Sequence, residues 1–369
     1  MNVLIAAEYA TPASGNFVAS VLELGIAMRQ HGDQLMFLFP RNGNTTREGS
    51  WVEWLEENGF PVYLLDRRIP EAEQLDTLER ILREREVDVL HLHFAMFHHL
   101  AMQNAKRWST KILIHDHMDF AETSDVRKQK LRCFLRSALY RKNRISIVSV
   151  NPEKNRAYAL ARHWYVPNGL SLRRNVLESD TRETCRDEIG LAPEDRMVLF
   201  LGWDVHRKGL DIAVKAVEML HRENPHILLG IVGIGDPPRQ ERLDYIQQTT
   251  GICPTSAWIR YLPSREDMFA YHRAVDVYLS ASRSEAFSYG LLEAISQNTP
   301  VAVSDIKGTS WCFAYDKAVA YATEDAEKCA QAIQTALQMG RKPSNCEQLV
   351  ESYHIQNWCD RMMQIYHML

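Results

Sequence analysis

Between residues 282 and 294 the chain reads Ser-Arg-Ser-Glu-Ala-Phe-Ser-Tyr-Gly-Leu-Leu-Glu-Ala, which places two carboxylates, Glu285 and Glu293, eight positions apart. The segment follows the strand-like run Val275–Leu279 and opens a helical pattern. Glu285 is therefore expected on the loop and Glu293 about two turns into the helix. The backbone N–H groups of Ala286, Phe287 and Ser288 would then lie at a free helix N-terminus, where phosphate or sugar oxygens bind. A carboxylate accepts two hydrogen bonds at once, the pattern that vicinal hydroxyls of a ribose or hexose present. Taken alone, the pair also fits a capping acid and a solvated helix glutamate.

A second candidate lies upstream. Leu199 to Asp211 reads as a strand, a loop with glycines and a helix, with Gly202 just after the strand and Arg207 and Lys208 at the helix mouth. Cations placed there beside helix N–H groups suit a diphosphate. Gly233 and Gly235 end the next strand, but Pro237-Pro238 stand where a dinucleotide fingerprint needs its third glycine and its helix, which excludes a dehydrogenase of that kind. His91/His93 and His115/His117 are same-face pairs at strand ends. Such pairs suit either a divalent ion or hydrogen bonds to sugars and phosphates, and the second use is the one expected, with no metal site.

These residues need a frame. Val3–Ala7, Leu35–Phe39, Val62–Leu65, Val87–Leu92, Ile112–His115 and Ile145–Val150 are strand-like, and helical patterns such as Val18–His31, Trp51–Asn58 and Leu75–Glu86 lie between them. The alternation restarts with Met197–Leu201, Ile227–Val232, Trp258–Tyr261, Val275–Leu279 and Val301–Val303, separated by Leu210–Arg222, Arg265–Arg273 and Tyr289–Gln297. Continuous apolar strands alternating with helices predict an α/β fold with two parallel sheets covered on both faces. Pro167-Asn168-Gly169 and the polar stretch Ser171–Asp187 mark the junction. Ligands bind such sheets at the carboxyl ends of the strands, so a crevice between the two is expected.

At 369 residues the chain suits two domains. Its net charge of -4 argues against wrapping nucleic acid. Seven scattered cysteines without a C-x-x-C pair fit a reducing compartment. No secretory signal and no run of about 20 apolar residues is present, so a cytoplasmic, soluble protein is expected. The bland net charge hides a segregated surface. Asp125–Arg144 carries eight basic side chains, Arg127 to Arg144, against one acid, while Leu131, Leu135, Ala138 and Leu139 recur on one helical face. That face either packs on the sheet or lies on an anionic membrane surface.

With these motifs in order, the chain resembles the retaining GT-B glycosyltransferases of family 4. The likeness rests on Gly202 with Lys208-Gly209, Gly233-x-Gly235, Glu285-x7-Glu293 and Thr299–Asp305. In the first half it rests on Gly15, Asp88–His93, Ile114–His117 and Val166–Gly169. The resemblance implies two Rossmann-like domains facing each other across a cleft: 1–169 on the acceptor side, 170–354 binding a nucleotide-sugar, and a helix, 355–369, crossing back to the first. It implies Glu293 on the ribose hydroxyls, Lys208 on the diphosphate, and the base read by backbone near Leu262. Glu285 and the amides of Ala286 to Ser288 would hold the hexose and departing phosphate oxygens. His117 would reach the donor sugar, and Gly15 would let the first loop approach the diphosphate.

The reaction so implied moves a hexose, from a UDP-sugar by preference, to a hydroxyl of a glycan or lipid-linked acceptor in polysaccharide or glycoconjugate synthesis. The nucleotide-sugar is a co-substrate, and no cofactor or metal is required. Partners would be that donor, the acceptor and an anionic membrane face met through Arg127–Arg144, with no nucleic acid. Two departures stand out. The family has an arginine where this chain has Trp203, a role Arg207 would have to fill, and Ile306–Trp311 replaces a glycine pair followed by an acid. A non-catalytic partner subunit and a sugar-nucleotide epimerase are the alternative readings.

Overall fold

Short runs rich in Val, Ile, Leu and Phe form the first sheet: β1 (Asn2–Ala7), β2 (Gln34–Pro40), β3 (Val62–Leu65), β4 (Val89–His93), β5 (Lys111–Asp116), β6 (Ile145–Ser149) and β7 (Arg162–Tyr165). β-Branched and aromatic side chains pack well on a pleated surface, and here both faces are covered. The structure, a computed structural model, describes residues 1–118, 126–154, 157–173, 181–341 and 345–369. The strands run parallel in the order β3-β2-β1-β4-β5-β6-β7. A second parallel sheet has β8 (Arg196–Leu201), β9 (Ile227–Val232), β10 (Ile259–Tyr261), β11 (Val277–Ser280), β12 (Val301–Ser304) and β13 (Ala318–Tyr321) in the order β10-β9-β8-β11-β12-β13. In each sheet the order reverses beside its first strand, between β1 and β4 and between β8 and β11, which is where doubly wound sheets bind ligands.

The chain divides into two compact units, Met1–Ser171 with Tyr353–Leu369, and Leu172–Ser352. The helix Ile355–Met368 belongs to the first unit. Its Trp358, Met362, Ile365 and Tyr366 share a buried cluster with Val18, Val21 and Leu22 of the helix Gly15–Gln30. In the same unit Leu170 donates to the Tyr353 carbonyl at 2.7 Å, so the outgoing and returning segments lie side by side.

The basic helix spans Val126–Lys142, and Asp125 lies outside the described residues. Its sequence left two places open for the leucine face, against the sheet or outward. Leu131 and Leu135 are 57% exposed and Leu139 is 50% exposed, whereas among the described side chains of the helix Ser137 and Tyr140 are the buried ones. The helix is held by the stripe on the opposite side, about 170° away from the leucines. Among the described residues no helix is long and apolar enough to cross a membrane.

Candidate functional site

In the second unit the loops after β8 and β11 meet at the switch point. The loop after β8 ends on Gly209, whose φ of +73° turns the chain into the helix Leu210–Glu223 and leaves Lys208 just before it. The loop after β11 carries Glu285, which is 6% exposed. Lys208 Nζ donates to Glu285 Oε1, and the Ser282 hydroxyl donates to the same oxygen at 2.9 Å. Arg207 Nη1 lies 3.7 Å from the other oxygen, Oε2, donates to the Ser284 carbonyl at 3.2 Å, and is braced by Asp204 at 3.1 Å. Two cations from one loop thus converge on one carboxylate from the other. A second brace ties the loops together: Arg283 makes a two-pronged contact with Asp211, at 2.8 and 3.0 Å, and its N–H donates to the Arg207 carbonyl at 2.8 Å.

The helix after this loop begins at Tyr289, not at Ala286. Ser288 is its cap, accepting from the Leu291 amide, so Ala286 and Phe287 sit in the buried loop before it. Glu293 is consequently little more than one turn in, not two. It is buried, with His272 Nε2 3.4 Å from its Oε2. Burial and the nearby carboxylates of Glu285 and Glu293 push the Tyr278 hydroxyl well above its ordinary pKa, which keeps it neutral between them.

Gly308 lets the next loop approach: a Cβ there would fall 1.7 Å from the Glu285 carbonyl oxygen. Trp203, at the position where an arginine was expected, is 68% exposed, and the guanidinium near Glu285 belongs to Arg207. Gly202 follows β8, its amide held by the Val232 carbonyl at 3.0 Å. Leu262 follows β10, with its amide held by the Ile231 carbonyl at 2.9 Å.

The first unit has its own cluster. His91 and His93 on β4, His115 on β5 and His117 just after it are brought together. Their nitrogens are linked: His117 Nε2 to His93 Nδ1 at 2.8 Å, His93 Nε2 to His91 Nδ1 at 3.3 Å, and His91 Nε2 to His115 Nδ1 at 3.3 Å. Tyr366, on the C-terminal helix, meets His91 Nδ1 at 2.7 Å. Burial lowers the pKa of His91 to about 3 and of His117 to about 4, and drives His93 and His115 well below the ordinary value. The rings are therefore neutral.

Nitrogens of His91, His93 and His115 lie within 4.8 Å of one another, a spacing that a metal ion could use. However, His115 stacks on His117 at 4.3 Å and 6°, and on His91 at 5.3 Å and 19°. The same nitrogens also meet one another within hydrogen-bond distance, as neutral imidazoles can.

Gly15 is not in a loop; it is the first residue of its helix, at φ +57°. The Tyr9 hydroxyl, which donates to the Ser14 carbonyl at 2.9 Å, would be 2.6 Å from a Cβ at Gly15. Sequence reasoning missed the buried support beside His117. Asp116 accepts from Lys154 Nζ at 2.7 Å and from the Tyr158 hydroxyl at 2.6 Å. Burial alone would raise the Asp116 pKa, yet Lys154 and Tyr158 outweigh it and hold the carboxyl below its ordinary value. The Asp116-His117 step was legible; the lysine 38 residues on was not.

Two parallel doubly wound sheets, with cations and a buried carboxylate at a switch point, define a GT-B type of protein. The sequence pattern described as "Glycosyl transferases group 1" matches residues 181–352, and that described as "Glycosyltransferase Family 4" matches residues 18–172. The chain belongs to the group 1 glycosyltransferases of GT-B fold.

Among curated relatives, it is 31% identical over 149 residues to D-inositol 3-phosphate glycosyltransferase of Nocardia farcinica. That match covers 39% of this chain and 33% of the relative, so it spans about a third of that protein's length. It is 25% identical over 324 residues to phosphatidyl-myo-inositol mannosyltransferase of Mycobacterium leprae, covering 83% of this chain and 79% of the relative. Among solved structures, Anabaena Alr3699/HepE in complex with UDP-glucose superposes with a TM-score of 0.78 over the full length of both chains at 14% identity, a likeness of fold.

Proposed function

We propose that this protein is a retaining glycosyltransferase that moves a hexosyl group from a nucleotide-sugar, a UDP-sugar by preference, to a hydroxyl of a glycan or lipid-linked acceptor. The observation that carries the reading is the convergence of Lys208 and Arg207 on Glu285 at the β8/β11 switch point. Family membership and the UDP-glucose bound by the Anabaena protein support it.

In this reading Lys208 and Arg207 hold the donor diphosphate and stabilise the charge that grows on it as the glycosidic bond breaks. Glu285 and the Ala286–Ser288 backbone hold the hexose and the departing phosphate oxygens, Glu293 takes the ribose hydroxyls, and His117 meets the sugar. Protein cations suffice, so no metal is required. Lys208→Ala removes a charged hydrogen bond of roughly 1.5–3 kcal/mol and should lower kcat/KM about 10- to 100-fold.

The test is turnover of UDP-, GDP- and ADP-sugars by the purified protein, with the anomeric configuration of the product read by NMR. No turnover or binding of any donor, together with indifference to Lys208→Ala and Glu285→Gln, would sink the reading. Donor hydrolysis appearing only with a partner protein would favour a non-catalytic subunit, and donor interconversion without acceptor would favour an epimerase.

The basic helix supports a second element of this reading, peripheral docking on an anionic membrane where a lipid-linked acceptor resides. Leu131, Leu135 and Leu139 face outward among the arginines and lysines of Val126–Lys142. Apolar side chains flanked by cations are what an anionic headgroup layer accepts.

A further inference from the structure

His117 follows the last residue of β5, and the chain on both sides of it is pinned by one carboxylate. Asp116 Oδ1 accepts from the Met118 backbone amide at 3.0 Å, which closes a turn around His117. Asp116 Oδ2 accepts from Lys154 Nζ at 2.7 Å and from the Tyr158 hydroxyl at 2.6 Å. The Asp116 carbonyl accepts from the Val150 amide at 3.3 Å, beside the register pair Asp116 and Ser149 of β5 and β6. One oxygen of the carboxylate therefore sets the backbone around His117, and the other is anchored to the segment after β6.

Lys154 ends the short 3₁₀ turn Pro152–Lys154, and its side chain is 4% exposed, against 10% for that of Asp116. The Tyr158 amide donates to the Lys154 carbonyl at 3.0 Å, so both donors to Asp116 rise from one turn of chain. Charges at this depth persist only when paired, and the proposed chemistry at the donor uses neither of them. The His117 ring is held separately. It stacks on His115 at 4.3 Å and 6° and on Phe94 at 4.5 Å and 21°. Phe94 presents its ring from a φ of +51°, which a residue other than glycine adopts at a cost in strain. With the ring held by two stacked neighbours, the freedom left to His117 is that of its backbone, which Asp116 controls.

We propose that Lys154 and Tyr158 are positioning residues: they fix Asp116, and Asp116 fixes the turn that aims His117. The inference rests on the reading that His117 meets the donor sugar. Loss of Lys154 strands a buried carboxylate, which is then drawn toward water and pulls the turn open. Removing both charges does less harm than removing Lys154 alone, because the amide introduced by Asp116→Asn still offers an oxygen to the Met118 N–H.

The test has one readout without substrate and one with it. Met118 is 67% exposed, so its amide exchanges freely with water unless Asp116 holds it. With ¹⁵N-methionine in the full chain, and the signal assigned through Met118→Leu, exchange should be at least about threefold slower than in Asp116→Ala, the weight of one hydrogen bond. Tyr158→Phe and Lys154→Met should each speed that exchange and raise KM for the donor about three- to tenfold, with kcat changed less. Adding Asp116→Asn to Lys154→Met should bring KM back toward the native value, a rescue that general loosening of the fold does not give. Unchanged exchange and KM in Tyr158→Phe and Lys154→Met overturn the proposal, as does a double variant no better than Lys154→Met. Should Lys154→Met not fold, Tyr158→Phe and the double variant decide the matter. Donor KM unmoved by His117→Ala counts against the proposed function. Donor KM moved by His117→Ala but not by Tyr158→Phe or Lys154→Met counts against this inference alone.

Discussion

Gly308 abuts the backbone of Glu285: a Cβ at residue 308 would fall 1.7 Å from the carbonyl oxygen and 2.5 Å from the carbonyl carbon. No side chain end is involved, so nothing can rotate away and the loop itself must move. Gly308→Ala should therefore displace Glu285 from Lys208. Overpacking of this kind costs about 1–3 kcal/mol, and the expected result is a drop in Tm together with at least a roughly tenfold fall in kcat/KM. Full activity in the alanine variant would show that the Glu285 loop tolerates displacement.

Arg207 and Trp203 should separate cleanly. Arg207 lies near Glu285, whereas Trp203 is largely exposed. Arg207→Ala is expected to lower kcat/KM about tenfold with KM for the donor rising, as a charged contact is lost. Trp203→Ala should leave Tm within about 1–2 °C, an exposed substitution costing under about 0.5 kcal/mol. Steady-state kinetics and a thermal melt on both variants check this, and equal activity in Arg207→Ala and the native protein would remove Arg207 from the donor site.

Acid should destabilise the first unit well before its carboxylates titrate. His91, His93 and His115 are buried and neutral, with His91 lowered to about 3 and the other two well below the ordinary value, 6.5. In the unfolded chain the same rings bind protons near pH 6.5, so the unfolded state holds more protons throughout the interval below that value. Stability then rises with pH across the window and falls as pH drops from about 6.5 toward 3, by roughly 1.4 kcal/mol per pH unit for each such ring. Urea titrations at pH 7.5, 6.0 and 5.0 measure it, and His91→Gln should flatten the slope.

The outward leucines give a binding prediction. The native protein should co-sediment with vesicles containing phosphatidylglycerol and much less with pure phosphatidylcholine, with binding weakened by salt. Leu135→Glu combined with Leu139→Glu should cut that binding at least about tenfold and leave Tm nearly unchanged, because neither side chain is in the core. A large loss of Tm would mean that the stripe is structural after all.

Much of this arrangement is legible in the residues themselves, and the parts that are not share a cause. β1, β2 and β6 are near-continuous apolar runs buried on both faces, which a sequence shows directly. β7 and β13 are edge strands four residues long with half-exposed side chains, and their composition carries no such signal. The helix Gln240–Thr250 is similarly silent, with Ile246 its sole buried residue. At the candidate site, the residue types at 207, 208, 285 and 293 are readable from their motifs. The pairing of Lys208 with Glu285 spans 77 residues and exists only once β8 and β11 lie side by side. The basic helix is the opposite case. Its leucine stripe is obvious, yet the buried face belongs to Ser137 and Tyr140, because contact with the sheet is decided by where the helix docks.

The return of Ile355–Met368 to the first unit has a bearing on synthesis. Trp358, Met362, Ile365 and Tyr366 complete the cluster built on the helix Gly15–Gln30, so that hydrophobic core lacks one wall until Ile355–Met368 has been made. Leu172–Ser352 is contiguous and needs no later segment to close its own core. The usual order, in which the amino-terminal domain matures first, is inverted: the half made second is finished first. A stop codon placed just before Ile355 would thus leave the second unit whole and the first without that wall.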